Sequence, residues 1–194
     1  SISGQDFHDS PLLQGEQKSE YAQHVGAMLY ILMTRPEMAF TLTILTRRMS
    51  NPSERHQKLL KRAMQYLCDN PSDGLRFESD IKIELEASAD AAYLDQADPL
   101  IPGELFKCTG GFEIRLKGSA IVVAKCKGQN TRVLSTCEAE TKQISIAAQH
   151  VIWTRNILFE MGWPQIQPTV ILEDNKATIN LTEHGHLSDA TCHM

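Results

Sequence analysis

Residues 81–90 read IKIELEASAD, and the hydrophobic pattern of the chain changes its period here. Apolar and polar residues alternate strictly over 81–87, which predicts a half-buried β-strand that runs straight into Asp90. Upstream of this stretch the apolar residues recur every three to four positions, as they do in helices. The change of period therefore predicts a helical segment followed by a mixed α/β domain.

Three helices are predicted on the N-terminal side. The first covers about 19–34, the second begins at Pro36, and the third begins after Asn51-Pro52-Ser53-Glu54. A hydroxyl cap and an early proline mark helix starts, because the cap accepts a backbone hydrogen bond and proline lacks an N–H that the first turn does not need. The predicted organisation is an extended arm (1–18), a small three-helix segment (19–74) and an α/β domain (75–194).

On the C-terminal side, a hairpin and a long helix are predicted. Two β-rich runs flank the turn residues Lys117-Gly118-Ser119. A capping box of Ser135 and Glu138 opens the longest helix, which runs to Met161 and stops at Gly162. Further strands are expected at 132–134 and 169–173, and a last helix to about Leu181. This order predicts a mixed sheet with flanking helices.

Composition excludes several classes of protein. The chain has 194 residues, of which 42% are hydrophobic and 22% charged, as in ordinary globular proteins. No apolar run approaches the roughly 20 residues that span a bilayer, so no membrane association is expected. No signal peptide is visible. The five cysteines form no CxxC pair, which argues against a disulfide framework or a zinc ribbon and favours a reducing compartment, the cytoplasm or the nucleus.

The net charge of −5 is unevenly distributed. Residues 35–62 carry seven basic and two acidic side chains, and 107–132 carry six basic and one acidic. Between them, 78–104 carries eight acidic side chains and one lysine. An acidic segment between basic ones suits a metal centre beside a polyanion, although ordinary solvated faces would produce the same pattern.

Three carboxylates are the candidates for chemistry. Asp90 and Asp174 follow predicted strands, where side chains reach the edge of a sheet. Helical phase selects Glu140 over Glu138, because Glu140 shares the apolar stripe of Ile144, Ala147, Val151, Leu158 and Met161. A carboxylate on a buried stripe is costly unless a cation compensates it, and oxygen ligands suit Mg²⁺ or Mn²⁺. The alternative is that these three acidic residues are unrelated and form no common site.

The motifs of the chain resemble one known family in unbroken order over 19–194. Four segments of the N-terminal side resemble the end of the reverse transcriptase of copia-type retrotransposons, namely residues 21–30, 34–40, 49–52 and 60–67. Four later segments resemble the ribonuclease H domain of the same polyprotein, namely ADAAY (89–93), CTGGF (108–112), STCEAE (135–140) and EDNKA (173–177). The resemblance implies a ribonuclease H-like fold for the α/β domain.

The resemblance also implies an activity. Asp90, Glu140 and Asp174 would be the metal-binding, catalytic carboxylates that cleave the RNA strand of an RNA–DNA hybrid by two-metal hydrolysis with Mg²⁺ or Mn²⁺. A basic stretch that matches the family's Ser-Lys-Lys-Gln segment would lie along the nucleic-acid backbone, a role inferred from charge. Its residues are Lys125, Lys127 and Gln129, and Arg132 is a further predicted nucleic-acid contact.

Departures from the family pattern support an alternative. Ala92 and Tyr93 stand where the family has an acid and a tryptophan, and Thr141 replaces a tyrosine. The family continues into two more strands and a fourth acid, for which Asp189 is a weak candidate, so the domain is expected to be C-terminally truncated. The alternative is an inactive, repurposed relic that binds nucleic acid or a protein, with a partner or a second copy covering the incomplete sheet edge.

Overall fold

The computed structural model describes residues 10–79, 82–92, 108–129 and 133–184, which divide into two units. The first unit holds the described residues up to Leu75, and the second holds those from Arg76 onward. Within the described residues, no helix combines the length and hydrophobicity that crossing a bilayer requires.

The first unit contains the three predicted helices. They are α1 (Gly15–Leu29), α2 (Ala39–Arg47) and α3 (Glu54–Asp69). Two 3₁₀ turns, Tyr30–Met33 and Pro36–Met38, join α1 to α2. The helices bury one apolar cluster, and the Tyr21 hydroxyl at its centre donates to the Leu45 carbonyl at 2.8 Å. Burial holds the pKa of that hydroxyl well above its usual range.

The predicted extended arm over 1–18 is wrong at its C-terminal end, because α1 already begins at Gly15. Residues 15–20 are all exposed, and a solvated first turn carries no apolar spacing that a sequence pattern could reveal. The residues just before α1 are held in place by backbone pairing. The Leu13 N–H donates to the Pro52 carbonyl at 2.8 Å, and the Glu54 N–H donates to the Pro11 carbonyl at 3.0 Å.

A four-stranded mixed sheet forms the centre of the second unit, in the order β3-β2-β1-β4. The strands are β1 (Leu85–Ala92), β2 (Thr109–Leu116), β3 (Ile121–Gly128) and β4 (Val170–Leu172). β2 is antiparallel to both β1 and β3, and β4 is parallel to β1. The predicted hairpin turn is present, with Gly118 at a φ of 76° that glycine adopts without strain.

The long helix α4 (Thr136–Glu160) packs on one face of this sheet. Its start is the predicted cap, since the Glu138 N–H donates to Ser135 Oγ at 3.1 Å. Its end is the predicted glycine, because Gly162 has a φ of 87° and lets the Trp163 N–H turn back to the Leu158 carbonyl at 2.8 Å. The last helix, α5, spans Lys176–His184.

The fold class is confirmed as α/β with a ribonuclease H-like mixed sheet and flanking helices, preceded by a three-helix segment. Two strand predictions need correction. β1 begins at Leu85, since the Glu84 N–H donates to the Lys82 carbonyl in a tight local turn, and Asp90 therefore lies inside the strand. Ile81 and Arg132 lie outside the described residues, and Val133 and Leu134 belong to no strand.

Candidate metal centre

Asp90 is presented by β1, the strand between β2 and β4. It is exposed and stands between Ala89 and Ala91, which are both buried. Its register partner on β2 is Gly111, which has no side chain to crowd the carboxylate. The strand therefore holds Asp90 on a rigid backbone with its carboxylate open to solvent.

Glu140 lies in the second turn of α4 and is only 6% exposed. Its Oε2 accepts a hydrogen bond from the Ala91 N–H at 3.1 Å. Glu138 is engaged elsewhere, because its Oε1 lies 2.6 Å from Lys142 Nζ and its Oε2 accepts from the Leu134 N–H at 2.7 Å. The prediction that Glu140, and not Glu138, occupies the buried stripe is confirmed.

One residue of the predicted stripe is misplaced. Met161 is 58% exposed, whereas Ala147 and Val151 are buried under the helix. Met161 caps the C-terminus of α4, so it lies past the last residue whose direction the helical period fixes.

The environment of Glu140 favours its protonated form when no cation is bound. Burial, followed by the negative charges of Glu173, Asp90 and Asp174, raises the pKa of Glu140 to about 7. The hydrogen bond from Ala91 acts in the opposite direction but is outweighed. A buried carboxylate among other carboxylates is the arrangement that a bound divalent cation compensates.

Asp174 reaches the same place from β4. The parallel register pairs Leu172 with Ser88, so the chain leaves β4 alongside the part of β1 that carries Asp90. Asn175 then starts α5, since its Oδ1 accepts from the Ala177 N–H at 3.0 Å. Asp174 is exposed between the strand and this capped helix.

The three predicted carboxylates converge. One ligand oxygen each from Asp90, Glu140 and Asp174 lies within 4.8 Å of the other two. Ligand oxygens around a six-coordinate Mg²⁺ are about 3 to 4 Å apart, so small side-chain adjustments would complete such a shell. The donor set is made only of carboxylate oxygens, which hard cations such as Mg²⁺ and Mn²⁺ prefer.

Glu173, the residue before Asp174, is a further carboxylate whose charge helps to raise the pKa of Glu140, and the motifs of the sequence did not single it out. Burial raises its pKa, and its Oε1 accepts from the N–H groups of Asp174 and Asn175, both at 3.1 Å. Its Oε2 is buried and has no hydrogen-bond partner among the described residues. The signal that could have found it is strand alternation, because Glu173 is two residues beyond the inward-facing Ile171.

The predicted nucleic-acid contacts are only partly accessible. Lys125 and Lys127 are exposed on β3, and Lys125 Nζ lies 3.2 Å from His150 Nε2. Gln129 is a correction, because it is buried and its Nε2 donates to the Ala139 carbonyl at 2.8 Å inside the fold. The side chain of Gln129 forms its hydrogen bond inside the fold, which the charge pattern of the sequence did not indicate. Arg132 and Asp189 lie outside the described residues.

Related proteins carry the same stretch of sequence within polyproteins. The retrovirus-related Pol polyprotein from transposon RE1 of Arabidopsis thaliana is 29% identical over 157 residues, which cover 81% of this chain and 10% of that protein. The corresponding polyprotein from transposon TNT 1-94 of Nicotiana tabacum is 28% identical over 178 residues, covering 91% of this chain and 13% of that protein. The chain thus spans about a tenth of the length of these polyproteins.

A shorter relative matches over most of its own length. Secreted RxLR effector protein 161 of Plasmopara viticola is 31% identical over 134 residues, which cover 69% of this chain and 89% of that protein. No protein-family model matches the chain. No solved structure matches it. Taken with the ordered motifs, the Pol polyprotein relatives show that the chain corresponds to a stretch of the Pol polyprotein of copia-type retrotransposons.

Proposed function

We propose that the second unit is a ribonuclease H-like nuclease domain that hydrolyses the RNA strand of RNA–DNA hybrids with Mg²⁺ or Mn²⁺. The observation that carries the proposal is the convergence of Asp90, Glu140 and Asp174, whose ligand oxygens lie within 4.8 Å of one another. These residues are 50 and 34 positions apart in the chain, so only the fold brings them together.

The residues present fit a divalent cation. The donor set is entirely anionic oxygen, and among the described residues the buried Glu140 carboxylate accepts from one N–H, that of Ala91. Three carboxylates this close repel one another without a counter-charge, and a cation removes that cost. Asp90, Glu140 and Asp174 would therefore be the residues that hold the ion.

Bound ions of this kind activate a water molecule and stabilise the leaving oxygen of a phosphodiester. The chain's own contribution is to fix the ligands. The Ala91 N–H orients the Glu140 carboxylate, and the capped start of α5 at Asn175 holds the Asp174 backbone. Rigid placement of this type matters because small displacements of catalytic groups reduce rates strongly.

Lys125 and Lys127 supply positive charge on the edge strand β3 of the same unit. In the proposed function they contact phosphates of the hybrid and position it without reading sequence. The affinity for hybrid then falls steeply as salt rises, because each neutralised phosphate releases counterions.

The proposal is tested with a labelled RNA–DNA hybrid in buffer containing Mg²⁺ or Mn²⁺. We expect the RNA strand to be cut by the wild type and not by Asp174→Asn, which preserves shape and removes the charge that holds the ion. Glu160→Gln is the matched control, because Glu160 is an exposed carboxylate at the end of α4 in the same unit. Equal cutting by Asp174→Asn and wild type would exclude this site as the source of activity.

A second candidate function is a non-catalytic binding module descended from the same retroelement. The effector of Plasmopara viticola favours it, since 89% of that protein matches a stretch of this chain. The matching segment makes up most of that effector, so there it is not part of a polyprotein in which a nuclease would act. In this case the fold is retained for binding nucleic acid or a protein, and the second unit binds a hybrid without cutting it.

The two candidates give opposite results in one experiment. Under the nuclease proposal, hybrid incubated with Mn²⁺ is consumed, and chelation with EDTA stops the reaction. Under the binding proposal, the hybrid is retarded in a gel yet stays intact with and without Mn²⁺. Retardation that disappears in Lys125→Gln with Lys127→Gln would assign the binding to β3.

We also propose a reducing compartment, the cytoplasm or the nucleus, as the site of this function. Cys68 and Cys137 form no disulfide in the described part of the chain. Free thiols persist where glutathione and thioredoxin keep cysteine reduced.

A further inference from the structure

His150 lies on α4 and faces β3, the edge strand of the sheet. Its ring stacks on the ring of Phe112 from β2, with centroids 4.8 Å apart and an angle of 27° between the planes. Its Nε2 lies 3.2 Å from Nζ of Lys125 on β3. Because Phe112 is buried in the cluster beneath α4, the stacking holds the imidazole in place beside the lysine.

This contact defines the protonation state of His150 in the free protein. An ammonium group donates hydrogen bonds and accepts none, so Nε2 must be the acceptor and carries no proton. Burial, followed by the positive charge of Lys125, lowers the pKa of His150 and acts in the same direction. The imidazole is therefore neutral near pH 7, and its Nε2 can gain a proton when its surroundings change.

Among the described residues, the charged side chains that face His150 from β3 are basic. They are Lys125 and Lys127, which are exposed and, being two residues apart on the strand, lie on the same side of the sheet. The adjacent positions of β2 and α4 carry no charge, namely Phe112, Ile114, Ile146, Ala147, Trp153 and Thr154. Basic groups placed together repel one another, so this group of side chains favours the binding of an anion.

The pair of Lys125 and His150 is also close to the three converging carboxylates. Lys125 pairs with Phe112, and Phe112 pairs with Ala89, the residue before Asp90. Lys125 is thus two strands away from β1, a distance of roughly 10 Å across the sheet. Double-helical DNA carries a phosphate charge about every 1.7 Å along its axis. A hybrid bound at the carboxylates therefore has phosphates at this distance too.

We propose that Lys125 and His150 form a phosphate-binding pair for the RNA–DNA hybrid, with His150 binding as the imidazolium. The proposal deepens the proposed function and rests on it, because it takes the hybrid as the ligand. A phosphate oxygen that comes between the two side chains accepts from the Lys125 ammonium in place of Nε2. Nε2 then takes up one proton from the solvent and donates a hydrogen bond to the phosphate, since a neighbouring negative charge favours the imidazolium.

The test measures binding of a labelled RNA–DNA hybrid to the full chain by fluorescence anisotropy, in EDTA and low salt, from pH 8 to pH 5.5. Because binding takes up one proton, the affinity of wild type should rise about tenfold as the pH falls over this range. His150→Gln cannot gain a proton and should lose this rise. His24→Gln is the control, since His24 is exposed on α1, and it should match wild type.

His150→Arg keeps the proposal testable if His150→Gln folds poorly. Arginine is charged at every pH used, and its planar guanidinium can stack on Phe112 as the imidazole does. This variant should bind the hybrid at pH 8 about as tightly as wild type does at pH 5.5. A purely structural role for His150 predicts instead that both substitutions leave the pH dependence of binding unchanged.

Titration calorimetry gives an independent readout of the proton. Binding of the hybrid is measured at pH 6.5 in two buffers that differ in their enthalpy of ionisation, so the difference in heat counts the protons taken up. Wild type should take up more protons than either His150 variant, with a difference of at most one proton for each bound hybrid.

The outcomes separate this proposal from the one beneath it. If both His150 variants keep the pH dependence of wild type, or if wild type binds no hybrid in low salt, the phosphate-binding pair is overturned. The nuclease proposal is judged by cutting in Mg²⁺ or Mn²⁺, and it stands if wild type cuts the hybrid while Asp174→Asn does not. If the pH dependence is lost in both His150 variants yet no hybrid is cut, the pair is supported and the nuclease proposal fails.

Discussion

Glu140 Oε2 accepts the Ala91 N–H at 3.1 Å, and this hydrogen bond ties the second turn of α4 directly to β1. The bond joins residues 49 positions apart and places a buried carboxylate one residue from Asp90 along the strand. Within the described part of the chain, no second hydrogen bond reaches that carboxylate. The negative charge of deprotonated Glu140 is therefore only partly compensated, and this makes the centre sensitive to pH and to cations.

Glu140→Gln should change how stability depends on pH. The pKa of Glu140 is raised from 4.5 to about 7, so the folded state holds a proton that the unfolded chain has lost. The resulting stabilisation is complete below about pH 4.5 and disappears as the pH rises through 7. In EDTA at pH 8, we expect the variant to be more stable than wild type by about 1–3 kcal/mol.

Urea unfolding of both proteins at pH 5 and pH 8 measures this difference. Wild type should lose stability between the two pH values, and Glu140→Gln should lose less. Glu160→Gln, at an exposed position of the same helix, should behave as wild type. Parallel pH profiles for wild type and Glu140→Gln would contradict the raised pKa.

Gly110→Ala should destabilise the second unit by about 1–3 kcal/mol through overpacking. A Cβ at Gly110 would lie 2.0 Å from Gln143 Oε1 and 3.2 Å from Gln129 Nε2. Both glutamines are buried, so neither side chain moves aside freely. The neighbouring Gly111→Ala is the matched control, since its Cβ would meet only the Lys125 carbonyl at 3.6 Å, an ordinary contact.

Thermal unfolding of the two glycine variants decides this prediction. The melting temperature should fall for Gly110→Ala and stay near the wild-type value for Gly111→Ala. Equal melting temperatures would mean that the Gln143 side chain adapts without cost.

His56→Gln should reduce the loss of folding stability that the first unit undergoes at acidic pH. Burial and the positive charge of Arg48 lower the pKa of His56 to about 4. Because the pKa of His56 in the folded state lies below the ordinary histidine value of 6.5, this stabilisation is complete above about pH 6.5 and is lost as the pH falls toward 4. Glutamine at this position still accepts from the Ser53 N–H, as His56 Nδ1 does at 3.2 Å, and has no proton to gain.

Circular dichroism at 222 nm, followed during urea titrations at pH 7 and pH 4.5, measures the effect. Wild type should lose stability at the lower pH, and His56→Gln should lose less. His24→Gln is the control, since His24 is exposed on α1. An identical acid response in His56→Gln and wild type would exclude His56 as its source.

Arg155→Ala should loosen the segment that leads into β4. Arg155 Nη1 donates to the Gln167 carbonyl and to Thr169 Oγ1, both at 2.8 Å, and Nη2 donates to the Gln165 carbonyl. Removing these bonds should cost about 1–3 kcal/mol. Asp174 follows this segment, so Mn²⁺ affinity should fall together with stability.

Calorimetric titration with Mn²⁺ and urea unfolding, performed on Arg155→Ala and on Arg155→Lys, measure both effects. Lysine has no fork of donors and should recover only part of the stability. Full Mn²⁺ affinity in Arg155→Ala would mean that Asp174 is positioned without this segment.

Local signals in the sequence determined most of the helices and the turns. The Ser135 cap, the Gly118 turn and the Gly162 stop all occur as predicted, because each depends on backbone conformation within a few residues. Helical phase likewise selected Glu140 over Glu138, since the period of a helix fixes which side chains share a face.

The start of a strand and the burial of a polar side chain depend on packing between distant parts of the chain. The alternating pattern extends through 81–84, yet a tight turn at Lys82 and Glu84 delays the ladder to Leu85. Gln129 has the polarity of a surface residue and is buried against Ala139. Strand alternation directs Glu173 to the same side as Ile171, but its effect on Glu140 depends on the pairing of β4 with β1. Such features arise between residues distant in the chain, and no window of sequence contains the packing that produces them.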